Sequence, residues 1–249
     1  MNREEPPFAD RTALVTGGSR GIGRAVCLML AANGARVAIN YRENKLAAQE
    51  VLTRVRDHGV EGLIAPADVA APDDVEKMVR RVEGELGEID LLVNNAGISS
   101  SVSHRDLDFA TWKRNFAVNI DGPFLTTWAV KDAMIRREFG RIVNVSSLAS
   151  FVLKKEMIHY ATAKAAVIAF TRHCSQALAP HVRVNCIAPG LTRTEMAEAA
   201  NPNIDDLIDA TPLGRMAEPE EIAGVVRFLL SEQSSFVTGQ TVLACGGRA

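Results

Sequence analysis

The sequence lacks any apolar run of about 18 residues, the length a helix needs to cross a membrane. No apolar stretch precedes Phe8 either: Met1-Asn2-Arg3-Glu4-Glu5-Pro6-Pro7 argues against a secretory signal. Cysteine is scarce. Cys27, Cys174, Cys186 and Cys245 form no C-x-x-C pair and have no histidine at metal-ligand spacing. Four reduced thiols in a cytoplasmic protein are expected, with no metal site. The net charge is only −2, so the basic surface that nucleic-acid binding requires is missing. Internal repeats, low-complexity tracts and linkers are also absent. These absences point to a cytoplasmic protein with no nucleic-acid partner and no membrane.

What is present is apolar. Such residues make up 47% of the 249, enough for one sizeable core. The length suits a single α/β domain, expected over 11–249 behind a tail at 1–10. Short apolar runs at 12–15, 36–40, 63–65, 89–93, 141–145, 182–187 and 241–243 read as strands. Helices are expected at 22–32, closed by Asn33-Gly34, at 43–58, closed by Gly59, and at 73–86, where Pro72, Asp73 and Asp74 suit the positive end. Further helices are expected at 106–137, 157–178 and 219–230, with an irregular stretch at 189–218. This βαβ alternation predicts one parallel seven-stranded sheet, doubly wound through right-handed crossovers, with helices on both faces. Ligands bind such sheets at the carboxyl ends of the strands.

The first strand runs into Thr16-Gly17-Gly18-Ser19-Arg20-Gly21-Ile22-Gly23, and a helix opens there. Glycines let the backbone turn sharply and approach a pyrophosphate, while the helix start offers free N–H groups and a positive dipole end. The spacing Thr-Gly-x-x-x-Gly-x-Gly resembles the short-chain dehydrogenase/reductase family rather than the G-x-G-x-x-G fingerprint. The resemblance runs from Arg11 to about Gly247. It is also carried, in order, by Asp68-Val69, Asn94-Asn95-Ala96-Gly97, Asn119, Ser147, Tyr160-x-x-x-Lys164 and Pro189-Gly190.

That resemblance implies a Rossmann-type fold with a nicotinamide cofactor on Gly17, Ser19, Arg20, Gly21, Ile22 and Gly23. Asp68 would meet the adenine through its side chain and Val69 through its backbone. Asn95, Ala96 and Gly97 would line the adenosine side. An acid closing the second strand would bind the 2′-hydroxyl of NAD. Here Asn40-Tyr41-Arg42 stands in that place, and Arg20 lies in the glycine loop. Two guanidinium groups can flank a 2′-phosphate, so NADP(H) is the expected cofactor. The competing reading of Arg42 is a solvated residue at a helix start.

Tyr160-Ala161-Thr162-Ala163-Lys164 puts a phenol and an ammonium on one helix face, about 6 Å apart. The ammonium is expected to lower the tyrosine pKa, so that the pair can exchange a proton with a carbonyl or alcohol at about pH 7. The chain has only two tyrosines. The resemblance implies a serine thirteen positions before the tyrosine, which selects Ser147 to bind the substrate oxygen. Ser146 would then turn away as a packing or backbone-bonding serine. It also implies that Asn119 kinks a helix and holds a water linking Lys164 to solvent, with Asn115 a plain polar helix residue. Tyr160 and Lys164 would touch the cofactor too. Pro189, Gly190, Thr192 and Thr194 would form the nicotinamide-side loop, followed by a substrate lid, the whole at about 190–216. The implied activity is NADPH-dependent reduction of a carbonyl to a secondary alcohol, with Asn119, Ser147, Tyr160 and Lys164 catalytic.

Pro212-Leu213-Gly214-Arg215, Glu218-Pro219-Glu220-Glu221-Ile222-Ala223 and Val237-Thr238-Gly239-Gln240-Thr241 resemble the 3-oxoacyl-[acyl-carrier-protein] reductase group most. A small carbonyl substrate, thioester-linked or free, follows. Three features depart from that group: a short Leu178-Ala179-Pro180-His181-Val182-Arg183 segment, Glu138 in place of a basic docking residue, and Ala244-Cys245 ahead of Gly246-Gly247. A secondary-metabolite ketoreductase or an alcohol dehydrogenase on a non-acyl substrate fits them as alternatives. A non-catalytic nucleotide-sensing module is opposed by the complete Asn119, Ser147, Tyr160 and Lys164 set. Phe151, Val152, Leu153 and Met157 are expected to wall a partly apolar pocket, and His159 to pack or line it. Lys154 and Lys155 attract an anionic tail or are solvated. The family commonly forms dimers or tetramers. A homotetramer or homodimer is therefore expected through the helices at 106–137 and 157–178, where Ala165, Ala166 and Ala169 allow close packing.

Overall fold

The computed structural model describes residues 6–200 and 204–249. Its strands are β1 (Thr12–Val15), β2 (Arg36–Tyr41), β3 (Gly62–Pro66), β4 (Leu91–Asn94), β5 (Gly140–Val145), β6 (Val182–Pro189) and β7 (Thr241–Ala244). They form one sheet in the order β3-β2-β1-β4-β5-β6-β7. Every pairing is parallel, so the sequence expectation of a seven-stranded parallel sheet holds. The strand order reverses between β1 and β4. Loops diverge at that point and leave a crevice at the strands' carboxyl ends.

Side chains alternate across each strand and feed two cores. Ala13, Val15, Val37, Ile39, Leu91 and Val93 pack with α1 (Gly21–Ala32), α2 (Lys45–Arg56) and α9 (Pro219–Leu230). Leu14, Ala38, Leu63, Leu92 and Ile142 pack with α3 (Pro72–Leu86), α5 (Gly122–Arg136) and α6 (Ile158–Ala177). The remaining helices are α4 (Phe109–Phe116), α7 (Glu195–Ala200) and α8 (Ile204–Asp209). Phe8, within the stretch expected as a tail, lies in the first core at 2% exposure.

Three local differences from the sequence reading have physical causes. The helix expected at 106–137 is α4 and α5 joined by a single π-helical turn, Ala117–Asp121, with Asn119 inside it. The helix expected to start at residue 43 starts at Lys45, because the Asn44 side chain caps it by accepting from Ala47 N. The irregular stretch at 189–218 contains α7 and α8. Residues 201–203 of the expected lid lie outside the described residues.

Candidate active site

The end of β1 is stitched to the loop after β4. Thr16 Oγ1 accepts from the backbone N–H groups of Asn95 and Ala96, both at 3.0 Å. The Asn95 amide donates back to Thr16 O at 2.9 Å and Gly17 O at 3.1 Å. Gly17 and Gly21 adopt φ of +62° and +50°, values that side chains resist. A Cβ on Gly23 would come within 2.2 Å of Gly17 O, so the loop folds down onto α1 only because that position is bare. No side chain caps the start of α1, and its first turn holds no acid. By contrast α9 carries a Glu218–Glu221 capping box, and α3 has Asp73 and Asp74 in its first turn. The N–H groups at the start of α1 thus remain available to an anion.

β2 ends beside this loop. Asn40 is buried, and its side chain is fully engaged by protein. Its oxygen accepts from Gly17 N at 3.1 Å, and its amide donates to Ala65 O and Ala67 O at 3.0 and 3.2 Å. The residue braces the loop. Arg42 pairs with Glu43 and lies 3.7 Å from Asp68. Arg20 pairs with Glu195 at the start of α7, at 2.9 Å.

Tyr160 and Lys164 are buried on the first and second turns of α6, and the ammonium lies 5.9 Å from the centre of the phenol ring. Lys164 Nζ donates to Val145 O at 2.9 Å. Burial holds its pKa down at about 8. Burial raises the Tyr160 pKa above its ordinary value, opposed by a side-chain hydrogen bond with Ser147. The expected lowering of the tyrosine by the ammonium is therefore not met, because desolvation outweighs it. Ser147 Oγ accepts from Ala149 N at 3.1 Å. Ser146 turns the other way and donates to Lys164 O at 2.7 Å, as strand alternation predicts.

Gly17, Ser19, Arg20, Gly21, Ile22, Gly23, Asn40, Tyr41 and Arg42 line one cleft of about 540 Å³. So do Asp68, Val69, Asn95, Ala96, Gly97, Ser147, Tyr160, Lys164, Pro189, Gly190, Thr192 and Thr194. Asn119 is the exception, standing behind Gly97. A Cβ on Gly97 would meet Asn119 Oδ1 at 2.8 Å and Lys164 Nζ at 3.3 Å. The Asn119 amide donates to Ile98 O at 2.9 Å and Asn115 O at 3.1 Å, while its Oδ1 is buried without a partner among the described residues. Asn115 is not the plain polar residue expected. It is 2% exposed and serves as acceptor for Asn119.

Two expected wall residues miss the cleft. Phe151 and Leu153 are exposed, Leu153 fully, because the loop between Ser147 and α6 turns Val152 and Met157 inward instead. Lys154 lines the cleft and Lys155 does not. His159 is buried against Ser100 Oγ at 3.0 Å, with burial holding its pKa down. Met196 and Leu207, within the expected lid, line the cleft, and so do Ser99 and Arg248, which the sequence reading missed. For Arg248 the signal was the preceding glycine pair, a turn that redirects the chain. Among the described residues no group of three or more His, Cys, Asp or Glu side chains could hold a metal, and no helix is long and apolar enough to cross a membrane.

Residues 11–205 match the family model described as short chain dehydrogenase. The chain is similar to the 3-oxoacyl-[acyl-carrier-protein] reductase of Synechocystis, with 38% identity over 95% of this chain and 96% of that protein. It is also similar to the acetoacetyl-CoA reductase of Allochromatium vinosum, with 37% identity over 95% and 98%. The crystal structure of a short-chain type dehydrogenase/reductase from Mycobacterium marinum superposes with a TM-score of 0.94 at 36% identity, covering 99% of this chain and 98% of that one.

Proposed function

This chain belongs to the short-chain dehydrogenase family and is an oxidoreductase; from that premise we propose that it reduces a ketone of the 3-oxoacyl or acetoacetyl-thioester kind to a secondary alcohol, using NADPH. The observation that carries this reading is the convergence of Ser147, Tyr160 and Lys164 in the same cleft as the uncapped start of α1.

The bare backbone of Gly17 and Gly21 and the first N–H groups of α1 fit a pyrophosphate. β2 ends without an acid, and Arg20 and Arg42 line the cleft beside it, which suits a 2′-phosphate rather than a 2′-hydroxyl. Asp68 and Val69 fit the adenine, and Asn95, Ala96 and Gly97 the adenosine side. Asn40 contributes by holding the loop. Pro189, Gly190, Thr192 and Thr194 line the nicotinamide end, and the described residues of 190–216 form the lid. When bound, the reduced nicotinamide supplies the hydride that attacks the carbonyl carbon.

The chain's own residues do the rest. Ser147 donates a hydrogen bond to the carbonyl oxygen and opposes the charge that grows there. Tyr160 delivers the proton to that oxygen. Its raised pKa keeps the phenol protonated at neutral pH, as an acid requires. Lys164 holds the ribose and carries the nearest charge to the phenol. Asn119 Oδ1, buried and unpartnered among the described residues, is the acceptor through which a water connects Lys164 to solvent.

Tyr160→Phe tests the assignment. Turnover of acetoacetyl-coenzyme A should fall about a thousandfold, with NADPH binding by fluorescence titration retained. A variant that keeps parental turnover removes Tyr160 as the proton donor.

Self-association into a homotetramer or homodimer belongs to the same proposal. The rings of Phe124 and Trp128 of α5 lie 4.4 Å apart in a tilted pair, reach Phe170 of α6 at 6.4 and 6.2 Å, and remain 40% and 45% exposed. Such an aromatic face suits an interface. A monomer in concentration-dependent sizing would overturn this part. The free thiols suit the cytoplasm, where we place the enzyme.

A further inference from the structure

The cofactor end of the cleft is lined by the charged residues Arg20, Arg42, Glu43, Asp68 and Glu195. Carboxylates outnumber guanidinium groups there by three to two, although a 2′-phosphate is the ligand such arginines suit. Both arginines are already engaged. Arg42 pairs with Glu43 and lies 3.7 Å from Asp68. Arg20 Nη1 donates to Glu195 Oε2 at 2.9 Å, across 175 positions of sequence.

The two engagements differ in kind. Glu43 simply follows Arg42 in the chain, and Asp68 Oδ1 also accepts from Ala70 N at 3.0 Å. Glu195 reaches Arg20 from the opposite lip of the cleft. The segment that carries it is tied down. Arg193 N donates to Ala217 O at 2.9 Å, and Arg193 Nε donates to Glu218 Oε1 at 2.9 Å. Thr194 Oγ1 accepts from Ala197 N at 3.2 Å. A Cβ on Gly21 would come within 3.1 Å of Thr194 Cγ2, so the glycine loop and the start of α7 lie almost in contact. Glu195 is thus presented to Arg20 by the way the two lips meet, and not by a chance swing of a long side chain.

The side chains of Arg20 and Glu195 are 65% and 73% exposed, and an ion pair in that setting is weak. A phosphate carries more charge than a carboxylate and accepts paired bonds from a guanidinium. It therefore displaces Glu195 from Arg20, and Glu195 is left beside it as a like charge. We propose that Glu195 is a cofactor-selectivity residue: it competes with the 2′-phosphate for Arg20 and so limits the preference for NADPH over NADH. This rests on the reading of Arg20 as a ligand of the 2′-phosphate and adds the carboxylate that opposes it.

Fluorescence titrations with NADPH and NADH test this on the full chain, on Glu195→Gln, on Arg20→Met and on the double variant. Both cofactors carry the pyrophosphate, so any general effect of the charge at 195 cancels in the ratio of the two Kd values. Glu195→Gln should raise the preference for NADPH by about threefold, the worth of an exposed pair. Arg20→Met should lower the preference, and adding Glu195→Gln to it should bring no comparable rise. Where NADH binds too weakly to titrate, competition of adenosine 2′,5′-bisphosphate and of AMP against NADPH reads the same ratio. A ratio unchanged by Glu195→Gln, or an equal rise on the Arg20→Met background, overturns the inference, while a preference lowered by Arg20→Met leaves the cofactor reading standing. A preference that Arg20→Met does not alter removes Arg20 from the 2′-phosphate and the inference with it.

Discussion

A Cβ placed on Gly23 would sit 2.2 Å from Gly17 O and 2.6 Å from Asn95 Nδ2. The first neighbour is backbone in a loop already fixed by its own turn, so it cannot yield cheaply. Overpacking costs about 1–3 kcal/mol, and this geometry belongs at the upper end. Displacing the Asn95 amide also weakens its bonds to Thr16 O and Gly17 O, at about 1 kcal/mol each. Gly23→Ala should therefore lose about 5 kcal/mol, or roughly 10–20 °C in Tm for a chain of this length. Gly84 is the internal control. It lies on the exposed face of α3, and a Cβ there meets nothing within 4 Å. Gly84→Ala should gain about 0.5–1 kcal/mol from the stiffer unfolded chain and better helix propensity. Scanning calorimetry reads both, and an NADPH titration of Gly23→Ala should show lost affinity. A Gly23→Ala protein within about 2 °C of the parent, with NADPH binding intact, would refute the packing argument.

Other expectations follow from single groups. Arg42→Ala should weaken NADPH by about tenfold to a hundredfold while leaving NADH unchanged, because the contact at stake is a charge-assisted bond to the 2′-phosphate; equal losses for both cofactors would remove Arg42 from that role. Burial takes Lys164 from 10.5 to about 8. Between those values the unfolded chain keeps a proton that the folded chain has released, so stability rises with pH across that window. In urea titrations at several pH values, the parent should gain on Lys164→Met from about pH 8 upwards, and a flat difference would contradict the shift. Buried Arg183 donates to Leu229 O, Ser231 O, Ser234 Oγ and Val237 O at 2.8–3.2 Å. Arg183→Met strands those acceptors and should cost about 3–5 kcal/mol by thermal or denaturant unfolding; a loss below about 1 kcal/mol would show that the acceptors find other partners.

The sheet was legible because the central strands β1, β4, β5 and β6 are short runs buried almost throughout, and such runs need no alternation to be recognised. The glycine loop was legible because its spacing is a backbone requirement, seen here in Gly17, Gly21 and Gly23. Less could be read where one residue serves another. Asn40 lines the cleft as expected, but its side-chain hydrogen bonds also brace the loop, a use that depends on where Ala65 and Ala67 come to lie. Asn115 looked ordinary because its use as an acceptor for Asn119 depends on the depth at which both are buried beside the π-helical turn, which no periodicity announces. Phe151 and Leu153 shared a loop with Val152 and Met157, and only the path of that loop decides which side chains face inward. The Tyr160 pKa was misjudged in direction, since the sequence displays the charged neighbour but not the depth of burial that outweighs it.

The strand order carries a consequence for how the chain comes off the ribosome. Each new strand adds to an edge already present: β2 and β3 extend outward from β1 on one side, and β4, β5, β6 and β7 in turn on the other. No strand has to insert between two that have already paired. Synthesis can therefore lay down the sheet in order, with the glycine loop braced as soon as β4 docks and Asn95 reaches Thr16. Until residues 241–244 emerge, β6 presents a bare backbone edge to any other nascent strand nearby. That interval, rather than the early nucleotide half, is where the growing chain is most exposed to mispairing.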